Sequence, residues 1–254
     1  MIPAETLYRI TFYAMAVVTG FFLLWVSRFP EGKRRYYLPI PLMCGILSLA
    51  YFGMSTQQFF VTTPTGQPVQ VSRYIEYYTV GPMMVTITCM VAGATRRQLI
   101  ATNAVMVSWT SASVAGYLLT EPAVYVANIA NFALLGLLAY ILIWPITRQS
   151  GKQGGERVLL YGKLRNLLLL LFGGYLVIGL LSRQGFGLLD AFSGIFLGSY
   201  IDALTRIGFG VLVLRATDAT DQLIAEIESD DAGDGGSGGV TLEKVDESPV
   251  DPAD

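Results

Sequence analysis

The chain has 254 residues, of which 53% are hydrophobic and only 14% charged, with two cysteines and no histidine. That composition belongs to a membrane protein rather than a soluble one. It excludes histidine metal sites, His-based catalytic triads and histidine proton relays, and Cys44 and Cys89 fit no metal spacing and read as small packing residues.

Apolar runs fall at about 7–27, 37–57, 74–94, 98–118, 123–146, 164–182 and 190–214. Each is near the roughly 20 residues that span a bilayer. The first starts close to Met1, is too long for a signal-peptide core, and reads as a true first helix. Between the second and third runs, residues 58–73 hold a Thr63-Pro64-Thr65-Gly66 turn between β-branched stretches, the pattern of a small extracellular hairpin. The expected fold is therefore all-α, a bundle of seven transmembrane helices.

The loops set an orientation. Arg28, Lys33, Arg34 and Arg35 follow the first run, and Arg96 and Arg97 follow the third. Arg148, Lys152 and Arg157 follow the fifth, with Lys163 and Arg165 opening the sixth. The alternate connections carry only Arg183 and Arg73. The positive-inside rule then puts the N-terminus outside and the C-terminus in the cytoplasm of a plasma-membrane protein.

Charge also divides the chain into two parts. Residues 1–215 hold 16 Lys and Arg against 7 Asp and Glu, a balance of +9, and form the membrane domain. Residues 216–254 hold one lysine against 12 acids, a balance of −11, which with the first gives the net −2. This part, with Gly233-Asp234-Gly235-Gly236-Ser237-Gly238-Gly239, reads as a disordered acidic cytoplasmic tail, either a solvating extension or a partner-binding one. A short amphipathic stretch, residues 223–227, extends the last helix. Neither a glycine-rich phosphate loop nor a soluble catalytic domain is present, so the chain does not read as an enzyme or a nucleic-acid binder.

Ionisable groups cost about 2.5–3.5 kcal/mol each at a bilayer centre on insertion scales, so each one there is a candidate site. Glu76 lies in the third run and Asp202 and Arg206 in the seventh, with Arg73 one turn before Glu76. Asp202 and Arg206 are spaced i, i+4 and share a helix face. Two acids and two bases turned to one interior neutralise each other. On the residues alone, a salt-bridge network that sets helix register and a modified ligand site stand as alternatives.

These residues sit in recognisable surroundings. The third run reads Arg73-Tyr74-Ile75-Glu76-Tyr77 with Pro82 beyond, the sixth opens Lys163-Leu164-Arg165-Asn166, and the seventh holds Tyr200-Ile201-Asp202-Ala203-Leu204-Thr205-Arg206. Over nearly all of residues 1–215 the chain resembles the microbial (archaeal) rhodopsins. That resemblance implies that Arg206 stands where the family's retinal-binding lysine stands. Glu76 and Asp202 fall on the two counterion positions, Arg73 on the arginine beneath them, and Tyr77, Phe172 and Tyr175 on pocket positions. A guanidinium stays protonated and forms no Schiff base. The resemblance therefore implies an opsin with no covalent cofactor, a non-covalently held retinal or other polyene remaining open.

Other matching positions depart from the pattern. The proton-donor acid of pumping members is Ile87, the threonine after the counterion is Val80, and the proton-release glutamates are Gln184 and Gly194. Tryptophan walls fall on Gly179 and Ala127, and the helix-six proline on Leu176. Proton pumping is not expected. Tyr175, Asn103, Tyr200 and Thr205 instead match the sensory rhodopsin II subgroup, in which Tyr200 and Thr205 are the expected partner-binding positions. Three readings follow: a sensory-type signalling opsin without covalent retinal, a photoreceptor or ion-moving protein holding a polyene non-covalently, and a structural membrane protein. The expected partners are the lipid bilayer and a transmembrane transducer, with a homo-oligomer open.

Overall fold

The computed structural model describes residues 3–63, 66, 68–182 and 186–234. Arg183, Gln184, Lys244 and the tail from residue 235 lie outside the described residues. The chain folds as α1 (Ala4–Val26), α2 (Glu31–Tyr37), α3 (Pro39–Ser55), β1 (Phe60–Thr62), β2 (Pro68–Gln70), α4 (Val71–Val91) and α5 (Arg96–Leu118), then α6 (Ala123–Ile143), α7 (Pro145–Ser150), α8 (Gly155–Leu181), α9 (Ala191–Arg215) and α10 (Thr217–Asp234).

The seven expected apolar runs become α1, α2–α3, α4, α5, α6–α7, α8 and α9. Pro39 begins α3, because a proline has no N–H to give and suits a helix start. The chain bends there by 42° between α2 and α3. Thr95 and Gln98 form a reciprocal capping box that starts α5. On composition, α1, α6–α7, α8 and α9 are long and apolar enough to cross a membrane, and the bent α2–α3 pair makes a fifth span. Helices α4 and α5 are more polar, carrying Arg73 and Glu76, and Arg96 and Arg97, respectively.

The helices close into a ring. Helix α1 packs on α3 and α9, α3 on α4, α4 on α5 and α8, α5 on α6, and α8 on α9. The enclosed core includes Met15, Phe22, Leu47, Tyr51, Met84, Leu168 and Phe209. Large apolar side chains also cover the outside: Ile10, Tyr13, Val17, Phe21 and Leu24 are all exposed on α1. In water such a surface would drive association; in lipid it meets its own kind. Gly210 is required where α9 crosses α1 and α3. A Cβ there would lie 2.6 Å from the Phe22 ring and 2.8 Å from Ile40.

The expected hairpin is present. Strands β1 and β2 pair antiparallel, with Phe60 opposite Gln70 and Val61 opposite Val69. Two expectations need correction. Helix α8 starts at Gly155, not near 164, because its first turns are polar and precede the apolar run. The acidic segment is also not disordered from 216: residues 217–234 form α10, which packs on α4, α8 and α9. Ala219, Thr220 and Ile224 are buried, and Asp221, Glu226 and Glu228 pair with Lys33, Arg157 and Arg35, contacts that hold a helix which composition alone reads as a tail.

Candidate functional site

Helices α4 and α9 bring four charges together inside the bundle. Glu76, Asp202 and Arg206 are each at most 2% exposed. Nη2 of Arg206 donates to Oε1 of Glu76 at 2.7 Å. Nη1 lies 3.2 Å from Oδ1 of Asp202, and it also donates to the Thr205 hydroxyl at 3.1 Å. The Asp202 contact is Coulombic rather than hydrogen-bonded, since Oδ1 of Asp202 and Nε of Arg206 find no hydrogen-bond partner among the described residues. The other oxygen of Asp202 accepts from the Tyr51 hydroxyl at 2.7 Å and from Nη2 of Arg73 at 3.4 Å. Nε of Arg73 donates to the Tyr77 hydroxyl at 2.6 Å, and its guanidinium lies 5.4 Å from that ring's centroid.

The spacing explains the convergence. Residues 202 and 206 are one helical turn apart on α9, and 73, 76 and 77 lie within one turn on α4. Two guanidinium groups and two carboxylates give the site no net charge. That is the condition under which ions are tolerated in a dry interior.

Tyr175 of α8 meets Tyr77 edge-on with centroids 5.6 Å apart, which joins it to the cluster. Phe172 is not part of it. It packs on Trp109 of α5 at 5.2 Å between centroids. Tyr77, Phe172 and Tyr175 thus meet other rings directly across helix boundaries. Val80 is fully buried one turn beyond Glu76, Ile87 and Leu176 pack against the core, and Ala127 is buried. A Cβ at Gly179 or Gly194 would meet nothing within 4 Å.

Thr205 is misplaced as a partner contact. It is 1% exposed and donates to the backbone carbonyl of Ile201 at 2.6 Å, whereas Tyr200 is 57% exposed. Five residues turn a helix through about 500°, which leaves the two roughly 140° apart, so one surface cannot hold both. Asn103 on α5 is engaged with its own helix and α4. Its side-chain amide donates to Thr86 of α4 and to the Leu99 carbonyl, each at 3.0 Å. The residue that sequence reading missed is Tyr51, a tyrosine in an apolar run with nothing around it to mark its partner.

The site does not fit covalent retinal. A Schiff base needs a primary amine in the interior. At position 206 stands a guanidinium already held by two carboxylates. Of the described lysines, Lys152 and Lys163 are exposed, and Lys33 pairs with Asp221 of α10 at 2.7 Å.

Residues 3–220 match the profile of the bacteriorhodopsin-like protein family. Sensory rhodopsin-2 of Natronomonas pharaonis is 30% identical over 224 residues, which cover 85% of this chain and 90% of that protein. Sensory rhodopsin-2 of Haloarcula vallismortis is also 30% identical, over 74% of this chain and 79% of its own length. Among solved structures, thermophilic rhodopsin from Rubrobacter xylanophilus superposes with a TM-score of 0.78 at 24% identity, covering 86% of this chain and 98% of that one. The light-driven proton pump of Coccomyxa subellipsoidea gives 0.75 at 20%, covering 83% and 95%. With the fold, the length of the match and the two sensory relatives in agreement, the chain belongs to the bacteriorhodopsin-like family of multi-pass membrane proteins, the microbial rhodopsins.

Proposed function

We propose that this chain is a sensory-type member of its family that signals without a covalent chromophore, through helix contacts with a transmembrane partner. The observation that carries the reading is the Arg206 guanidinium, fixed 2.7 Å from Glu76 and 3.2 Å from Asp202. A permanent cation occupies the place of a titratable one, so the site keeps its charges but has no group that light could deprotonate. Position 87 is an isoleucine packed in the core, which leaves no carboxyl there for outward proton transfer. The two sensory relatives support a signalling role, while the solved proton pump, at 20% identity, shares only the fold. Tyr200, exposed on the outer face of α9 with Phe196 and Leu204, is the proposed partner contact. The N-terminus is proposed to lie outside, with the basic loops and acidic segment in the cytoplasm. No catalytic step is assigned to the chain.

Two measurements test this. Purified protein is mixed with all-trans retinal and its absorbance is read before and after borohydride. The expected result is no trappable adduct; a covalent pigment overturns the reading. The full chain is then co-expressed with membrane proteins of its own cell. Retention of a transducer in darkness, weakened by Tyr200→Ala, is expected. If no transducer is retained, the charge network is structural only.

A further inference from the structure

The end of the bundle that carries the basic loops is covered by α10. Lys33 pairs with Asp221 at 2.7 Å, and Arg35 with Glu228 at 3.4 Å, both near the surface. The third pair differs. Arg157, in the first turn of α8, is 4% exposed and pairs with Glu226. Its Nε donates to the Val91 carbonyl at 3.1 Å and its Nη2 to the Met90 carbonyl at 3.0 Å. Those are the last residues of α4, whose end carbonyls bond to groups beyond the helix, that of Met90 also accepting from the Gly93 N–H at 2.9 Å. One side chain therefore joins three elements: α8 that bears it, the end of α4, and α10 through Glu226.

A buried guanidinium needs an anion. Glu226 is the only carboxylate that pairs with Arg157 among the described residues. If α10 lifts away, Arg157 is left as an uncompensated buried charge and must turn toward water. It then abandons the Met90 and Val91 carbonyls, and the start of α8 loses its tie to the end of α4, while the Tyr77–Tyr175 contact deeper in the bundle remains. We propose that α10 is a detachable, charge-keyed clasp on the basic end of the bundle, whose release frees the start of α8 from the end of α4 through Arg157. The buried face of α10, Ala219, Thr220 and Ile224, seats the clasp, and its carboxylates set where it seats. The −11 balance of residues 216–254 against +9 in the rest of the chain favours docking over long range.

The native Cys89 reports on release. It is fully buried on α4, two residues before Val91. Cys44, fully buried on α3, serves as the internal control. The full-length protein in nanodiscs is followed by amide hydrogen exchange over residues 217–229 and 88–92, and by labelling with N-ethylmaleimide. In the wild type both segments are protected and Cys89 is unreactive. In the triple variant Asp221→Asn, Glu226→Gln, Glu228→Gln, both segments exchange at least about tenfold faster and Cys89 labels correspondingly faster, with Cys44 unchanged. Lys33→Asp loosens α10, and Lys33→Asp with Asp221→Lys restores its protection, which separates loss of the charge pairing from misfolding. Three results overturn the proposal. Wild-type α10 exchanging like an unstructured chain removes the clasp. A triple variant as protected as the wild type removes the charge key. Release of α10 with residues 88–92 and Cys89 unaffected removes the link to α4.

Discussion

The Arg206 guanidinium and the Glu76 carboxylate, 130 residues apart in sequence, meet at 2.7 Å with both side chains at most 2% exposed. The pair ties α9 to α4 across the bundle. Its Coulomb term is large in a dry interior, but so is the cost of desolvating both ions, and the two nearly offset. The pair therefore matters less as net stability than as a constraint, because removing Arg206 leaves Glu76 without its cation, and removing Glu76 leaves Arg206 with Asp202 only.

Arg206→Gln should lower stability by about 3–5 kcal/mol, since it leaves Glu76 and Asp202 facing each other. Glu76→Gln added to it should recover part of the loss. Thermal unfolding in detergent of the two single variants and the double variant gives the coupling. Strictly additive losses would mean that the two residues do not share one network.

Tyr51→Phe removes the hydroxyl that donates to Asp202 at 2.7 Å and changes little else. Hydrogen bonds to charged groups contribute about 1.5–3 kcal/mol, so a loss in that range is expected. The loss should shrink in an Asp202→Asn background, where the acceptor is neutral. An unaltered melting temperature for Tyr51→Phe would show that the contact contributes nothing.

Gly210→Ala should destabilise by about 1–3 kcal/mol, because the added methyl meets the Phe22 ring and Ile40, two side chains with no room to retreat. Shortening the obstacle by Phe22→Leu in the same chain should restore part of it. The readout is again the unfolding midpoint, and a neutral Gly210→Ala would mean that α9 slides away from α1 without cost.

The sequence carried the bundle because hydropathy and loop charge are read one segment at a time. It carried Glu76, Asp202 and Arg206 because charges stand out in apolar runs. Tyr51 stayed hidden because a membrane tyrosine has meaning only through the partner of its hydroxyl, here 151 residues away. Thr205 was legible by position beside Arg206 but not by direction; helix phase turns it inward and leaves Tyr200 outside. Arg157 read as one more basic loop residue, and α10 as a tail. An acidic helix with few apolar residues declares itself only when a basic surface is there to receive it.

The final prediction concerns the chromophore position. Arg206→Lys would put a primary amine beside Glu76 and Asp202, whose charges favour a protonated Schiff base. Only a weak pigment is nevertheless expected from that single change. Tyr77 and Tyr175 touch across α4 and α8, and Trp109 and Phe172 across α5 and α8, so the rings at positions 77, 172 and 175 already have ring partners that would have to part to grip a polyene. Gly179 and Ala127 supply no ring on the remaining sides. A lysine has one nitrogen where the guanidinium meets Glu76 and Asp202 with two, so the apo variant should melt below the wild type. Adding Trp109→Met to Arg206→Lys should raise pigment yield, because a flexible side chain yields the space that the indole holds. The absorbance of both variants with all-trans retinal decides the matter. A strong, stable visible band from Arg206→Lys alone would show that the aromatic contacts part readily and that the lysine is the sole element missing from the pocket.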